Sequence, residues 1–365
     1  MNLIEAIRAA DIAAVRAAIK ADPKSALNPR AVGAAAGRAL QPALALMAKN
    51  GADLNAVWRG YRPLHNLIQE RPHADAKPSP ERLACLEWLL ANGADPEQPG
   101  AWPPARAIIV AAFMGDPQFV TRLIKGGAKR DGFVYAALGD RKPFEKALEK
   151  RPALARDRDV GGLTALQCAA GSKMPKAETF EIARMLLDAG ADLRVRTKSW
   201  NNEVDAMYLA VSSKNRSIFE LLLDRGADPV EALTPAIWRG SEELAQLAID
   251  RGAHPDRAAA EGQPLLNNLI RWGQFRQAMW LLTRGASPNL PDQRGWTAMH
   301  QAASRGNEKM LRALLDAGGD ATRPDHEGNL PRDIATREKI RELCSHGPAG
   351  PVSRRSWSAA DGVID

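Results

Sequence analysis

What this chain has little of narrows its reading before any motif is examined. Cysteine occurs three times, at Cys85, Cys168 and Cys344. An odd number of widely spaced thiols excludes a disulfide framework and a paired zinc-ligand motif. Cys85 and Cys168 fall on apolar helical positions, where a free thiol serves as a small buried hydrophobe. Aromatics make up only 5% of the 365 residues, and the abundance of alanine and leucine suits short, closely packed helices. No apolar run approaches the roughly 18 residues of a membrane span, so no membrane partner is expected. Met1 to Ala10 carries Glu5 and Arg8 in a helical pattern and has no apolar signal region, which makes the cytoplasm the expected compartment. There is no nucleophile elbow, Walker sequence or zinc-ligand pair. No catalytic residue, metal ligand or cofactor is therefore expected.

What is present is a spacing. Glycine pairs twelve residues apart recur at Gly115/Gly127, Gly240/Gly252, Gly273/Gly285 and Gly306/Gly318. Stand-ins keep the same step at Ala10/Asp22, Ala39/Gly51 and Lys214/Gly226. Between the members of a pair lies an apolar stretch that ends in a double aliphatic, such as Leu222-Leu223 or Leu314-Leu315. Self-similarity at a fixed step announces a stack of small units. An apolar fraction of 45% is ample for its core, and the net charge of +7 is a modest bias toward acidic partners.

The clearest unit begins Gly295-Trp296-Thr297-Ala298-Met299-His300, passes through Gly306, and closes at Leu314-Leu315 and Gly318-Gly319-Asp320. It reads as a turn, a short helix, a glycine stop, a second helix and another stop, with Thr297 placed to cap the first helix. Related phrases are Arg62-Pro63-Leu64-His65, Thr164-Ala165-Leu166-Gln167, Gly93-Ala94-Asp95, Gly190-Ala191-Asp192 and Gly226-Ala227-Asp228. Gly252, Gly285 and Gly318 follow one another at steps of 33. These residues resemble the ankyrin repeat. The resemblance implies an all-α solenoid of stacked helix-turn-helix units with short β-like fingers at some junctions. It covers residues 1–344 as about ten repeats plus a partial C-terminal cap. Degenerate repeats occupy 1–51, central repeats 52–228 and C-terminal repeats 229–344, and the Gly/Pro-bearing segment 345–365 is expected to be a disordered tail.

Departures from regularity carry information. There is no room for a finger between Lys129 and Phe133 or between Asp228 and Ala232, which suggests three blocks, 1–128, 129–228 and 229–344. Insertions from Gln69 to Pro80 and from Gly171 to Ala177 read as loops, and the finger from Asp192 to Asp205 is enlarged. Asp157 and Asp159 alternate with Arg156 and Arg158, which reads as a solvated finger. His65 and His300 are expected to hydrogen-bond neighbouring backbone. His73, His254, His326 and His346 lie in loops or the tail without ligand spacing.

Members of the resembling family often bind partners through the fingers and the two variable residues before the mid-repeat glycine. Here those residues include Phe113-Met114, Ser212-Ser213, Trp238-Arg239, Arg271-Trp272 and Ser304-Arg305. The expected partner-binding set is therefore Trp238, Arg239, Arg271, Trp272, Arg294, Trp296 and Arg305. Tryptophan and arginine are the types most enriched in binding hot spots. A weaker set, Arg194, Arg196, Lys198 and Trp200, lies on the enlarged finger. Trp88 and Trp280 are expected to be structural. The expected function is a monomeric interaction scaffold that binds a protein with an acidic surface through the concave face of the C-terminal repeats. An exported host-directed effector and a nucleic-acid-binding module are the alternatives, and an enzyme is the least favoured.

Overall fold

The structure is a computed structural model and describes residues 1–70, 77–100, 103–199, 202–257, 259–260 and 262–345. It divides into two compact units, Met1–Ala227 and Asp228–Asp365. The first contains α1 (Leu3–Arg8), α2 (Ile12–Ala21), α3 (Pro29–Gly37), α4 (Gln41–Lys49), α5 (Pro63–Gln69), α6 (Pro80–Ala91) and α7 (Ala107–Met114). It continues through α8 (Pro117–Lys125), α9 (Gly132–Leu138), α10 (Arg141–Lys150), α11 (Ala165–Gly171), α12 (Lys176–Asp188), α13 (Ala206–Ser212) and α14 (Arg216–Asp224). The second contains α15 (Pro229–Trp238), α16 (Glu242–Asp250), α17 (Leu265–Arg271), α18 (Phe275–Leu282), α19 (Ala298–Arg305), α20 (Glu308–Asp316), α21 (Pro331–Ile334) and α22 (Glu338–Ser345). Each odd-numbered helix packs against the next. The odd helices of the first unit pack in series from α1 to α13, and in the second unit α17, α19 and α21 do the same. Helix α15 packs mainly on α16.

The turn between paired helices follows from local chemistry. Gly115, Gly240, Gly273 and Gly306 all sit in left-handed backbone. So do the stand-ins Ala10 (φ 55°), Ala39 (φ 55°) and Lys214 (φ 54°). A cap follows at once: Asp11 accepts from the Ala14 N–H, Asp116 from Phe119, Asn215 from Ile218 and Asn307 from Met310. These bonds satisfy amides that the first helical turn leaves open. Each even helix then buries one face, as Met310, Leu311 and Leu314 do in α20. Asp22 departs from the pattern. Its backbone is extended (φ −139°), and its carboxylate accepts from Lys24 N–H to start a 3-10 turn over Pro23–Leu27.

Fingers appear as short strands at two places: β1 (Thr197–Ser199) with β2 (Asn202–Val204), and β3 (Ala259–Ala260) with β4 (Gln263–Pro264), both antiparallel. The two shortened junctions are observed directly, with Asp131 capping α9 and Asp228 capping α15. The first does not split the chain, contrary to the three-block expectation. The reason is that the neighbouring fingers close over the gap. Gly161 lies so near the Pro104 carbonyl that a Cβ there would stand 1.9 Å from its oxygen, so only glycine fits. On the other side of α9, the Lys173 N–H donates to the Ala112 carbonyl (3.0 Å) and Ser172 Oγ donates to the Ala137 carbonyl (2.5 Å). The insertion after α11 is thus a strap, while residues 71–76 of the other insertion lie outside the described residues. So do Trp200 and the expected tail beyond Ser345.

Two stability predictions arise here. Left-handed backbone costs a non-glycine residue about 1–2 kcal/mol, so Ala39→Gly and Lys214→Gly should each raise stability by about 1 kcal/mol in denaturant titrations. Leu314 is fully buried, and Leu314→Ala should cost about 2–5 kcal/mol. Hydrogen exchange should place that loss in the second unit and leave protection of α3, α5 and α7 unchanged.

Candidate functional site

One register position links four of the repeats to the next. The third residue of an odd helix is His65 in α5, Gln167 in α11, Asn267 in α17 and His300 in α19. His65 Nε2 donates to the Ala105 carbonyl (2.8 Å), and Gln167 Nε2 donates to those of Val195 (2.9 Å) and Val204 (3.1 Å). Asn267 Nδ2 donates to the carbonyls of Leu290 and Trp296 (both 2.9 Å), and His300 Nε2 to that of Asn329 (3.2 Å). His300 Nδ1 accepts from the Thr297 N–H (3.1 Å), which fixes the imidazole as neutral with its proton on Nε2. Burial lowers the His65 imidazole to about 4 and also pulls His300 below its ordinary value. Both histidines are therefore backbone clasps, as expected. Cys85 and Cys168 are fully buried, and burial pushes the Cys85 thiol up to about 11.

The finger turns repeat a second device. Asp159 Oδ1 accepts from the N–H groups of Gly161 and Leu163, Asp292 Oδ1 from those of Arg294 and Trp296, and Asp325 Oδ1 from those of Glu327 and Asn329. Asp159 corrects the expectation of a solvated finger. Its side chain is 1% exposed and stands 3.9 Å from Arg106 Nε, and burial raises its carboxyl above the usual range. Asp157 does pair at the surface, with Arg151 at 2.6 Å. Arg106 itself escaped sequence reasoning. Only 3% exposed, it forms a two-pronged bond to Asp131 (2.9 Å each) and reaches Glu97 at 3.2 Å. Its charge occupies the place of the lost finger, and nothing in the local sequence distinguishes it from a surface arginine.

The expected binding residues separate into distinct environments. Trp272 follows α17 and is 54% exposed, with the Arg271 guanidinium 5.9 Å from its ring centroid. Arg305 is exposed and its guanidinium donates to the Arg271 carbonyl, so these three residues come together. Trp296 is turned to internal use. Its Nε1–H donates to Asp325 (3.0 Å), its ring stacks on His300, and Arg294 covers it at 4.3 Å while pairing with Asp292 at 3.4 Å. Trp238 ends α15 half-buried, beside the exposed and partnered Arg239. Among the other variable positions, Ser213 is buried and its hydroxyl donates to the Ala170 carbonyl at 2.6 Å. On the enlarged finger, Arg194, Arg196 and Lys198 are exposed, Lys198 opposite Glu203 in the strand register, while Trp200 falls outside the described residues. Trp280 is buried under Arg284, and Trp88 is half-buried. His73 and His346 also lie outside the described residues.

Models of ankyrin repeats match residues 233–325 and 266–348, and a single ankyrin-repeat model matches 161–198. The chain contains ankyrin repeats. It is 37% identical over 93 residues to an ankyrin repeat-containing protein of Treponema pallidum, covering 24% of this chain and 31% of that one. It is 36% identical over 59 residues to an ankyrin repeat-containing protein of Schizosaccharomyces pombe, covering 16% and 28%. It is also 29% identical over 148 residues to an ankyrin repeat and KH domain-containing protein of Caenorhabditis elegans, covering 40% and 4%. Each match spans less than a third of the relative's own length. Ankyrin repeats generally mediate protein–protein interaction and are typically non-enzymatic. Among the described residues, no helix of this ankyrin-repeat protein is long and apolar enough to cross a membrane.

The histidine clasp has a pH signature. The folded value of His65, about 4, lies below its unfolded value of 6.5. As pH falls through 6.5 the unfolded chain takes up a proton first, so stability is full above 6.5 and declines down to about 4. The loss is about 3 kcal/mol at most. Hydrogen exchange around α5 at pH 7 and pH 4.5 should show it. His65→Gln, which borrows the side chain that Gln167 uses, should flatten the dependence.

Proposed function

We propose that this ankyrin-repeat protein is a monomeric cytoplasmic scaffold whose C-terminal repeats, 229–344, dock an acidic protein partner on their concave face. The observation that carries the reading is the exposure of Trp272. A tryptophan buries 150–250 Å² when covered and is costly to leave in water, so a half-exposed indole at a helix end is best explained by a surface that covers it. Arg271 beside the ring supplies charge, and Arg305 braces it from the next repeat. Such aromatic–arginine pairs, rimmed by polar residues, are the usual anchors of interfaces. Trp238 and Arg239 extend the surface in this reading. Trp296 and Arg294 shape the neighbouring finger from within, since their polar groups are already engaged. The exposed cations of the enlarged finger, Arg194, Arg196 and Lys198, form a secondary contact region.

The expected outcome of Trp272→Ala is loss of partner capture in a pull-down from the native cell, with thermal unfolding changed by no more than about 0.5 kcal/mol. Arg271→Glu should act in the same direction. Capture that survives both substitutions would remove the site.

A further inference from the structure

Several arginines along the second unit are matched by carboxylates. Arg276 meets Glu242 at 3.0 Å, Arg312 meets Glu308 at 2.9 Å, Arg294 meets Asp292 at 3.4 Å and Arg341 meets Glu338 at 3.5 Å. No carboxylate among the described residues pairs with Arg271, Arg305 or Arg337. They are nonetheless held in place. The Arg305 guanidinium donates to the carbonyl of Arg271, the last residue of α17. The Arg337 side chain lies across Gly306, the residue that ends α19, where a Cβ would meet its Nε at 3.6 Å. A helix C-terminus carries partial negative charge, which attracts a cation without neutralising it. Arg305 and Arg337 thus each reach back one repeat onto the end of an inner helix, while the Arg271 guanidinium stands beside Trp272. The result is a guanidinium at each of two successive helix ends, Arg305 at that of α17 and Arg337 at that of α19, with Arg271 and the exposed Trp272 beside the first.

The spacing of those helix ends restricts what fits them. Packed helices stand roughly 8–10 Å apart. A polyproline II chain rises about 3.1 Å per residue with three residues per turn, so every third side chain returns to the same face after about 9 Å. A β-strand turns alternate residues to opposite faces. An α-helix rises only about 1.5 Å per residue, so it needs six or seven residues to cover one repeat. Carboxylates at every third position of an extended chain therefore match the two successive helix ends one for one. The intervening prolines or aliphatics lie against Trp272.

We propose, building on the docking reading above, that the partner segment is an acidic polyproline II chain with Asp or Glu at every third residue, bound by Arg271, Arg305 and Arg337 beside Trp272. Arg337 is the new member of the site. The test uses the full chain and two fluorescein-labelled peptides of equal composition. One has four Glu-Pro-Pro triplets, and the other has its four glutamates contiguous, followed by eight prolines. Fluorescence anisotropy should show the spaced peptide binding about tenfold more tightly, and Arg337→Glu, Arg337→Gln and Trp272→Ala should each weaken it about tenfold, as for loss of a charged hydrogen bond or an anchor. Thermal unfolding of the variants should match that of the parent. Equal binding of the two peptides, or undiminished binding by Arg337→Glu, overturns the proposal. So does displacement of the peptide by a twelve-nucleotide single-stranded DNA at equal charge. If native-partner capture is lost in Trp272→Ala but kept in Arg337→Glu, the spacing rule fails and the docking reading stands. Capture kept in Trp272→Ala defeats the docking reading itself.

Discussion

The structure depends on one recurrent hydrogen bond, from the third residue of an inner helix to a backbone carbonyl of the following unit. His65, Gln167, Asn267 and His300 make it with three different side chains. What they share is a donor two or three bonds beyond Cβ, pointing out of the first helical turn. The carbonyls they reach belong to finger or finger-to-helix backbone, where those of Ala105, Trp296 and Asn329 also accept a local N–H, so the clasp occupies their second lone pair. A helix pair of this size cannot bury its own apolar face. The clasp sets the orientation in which the next pair covers it. Replacing the imidazole by an amide changes the proton chemistry and leaves the geometry intact, which is why the sequence can vary at this position without losing the stack.

Much of this was legible in the sequence because the turn chemistry is local. A residue in left-handed backbone, followed by Asp or Asn at Asp11, Asp116, Asn215 and Asn307, announces the mid-unit turn, and the step survives where alanine or lysine replaces glycine, as at Ala10, Ala39 and Lys214. The apolar face of α20 was visible from Leu314-Leu315 and Met310-Leu311 alone. The two missing fingers were visible because a chain of three or four residues cannot form one.

What was not legible depends on contacts between units. Asp159 looked like one of several alternating surface charges, and its burial follows only from the approach of Pro104 and Arg106 across the gap. Trp296 and Trp272 looked equivalent as aromatic neighbours of arginine. The difference is whether the indole N–H finds an acceptor in the adjacent finger: Trp296 finds Asp325, and Trp272 stays in solvent. Arg337 lies outside the repeated phrase entirely, and only the side chain's path over Gly306 brings it to the end of α19.

The closure over the first lost finger also alters how force would pass through the molecule. In a stack where each unit touches only its neighbours, pulling the ends peels the units away one at a time. Here the backbone of residues 104–105 meets Gly161, and the Ala112 carbonyl takes the N–H of Lys173, so the units on either side of α9 are fastened to each other as well as to it. The helix pair between them cannot be drawn out until those outer fastenings part. The segment from α7 to α12 is therefore a shackle of three links that yields in a single step, within a chain whose other links open singly.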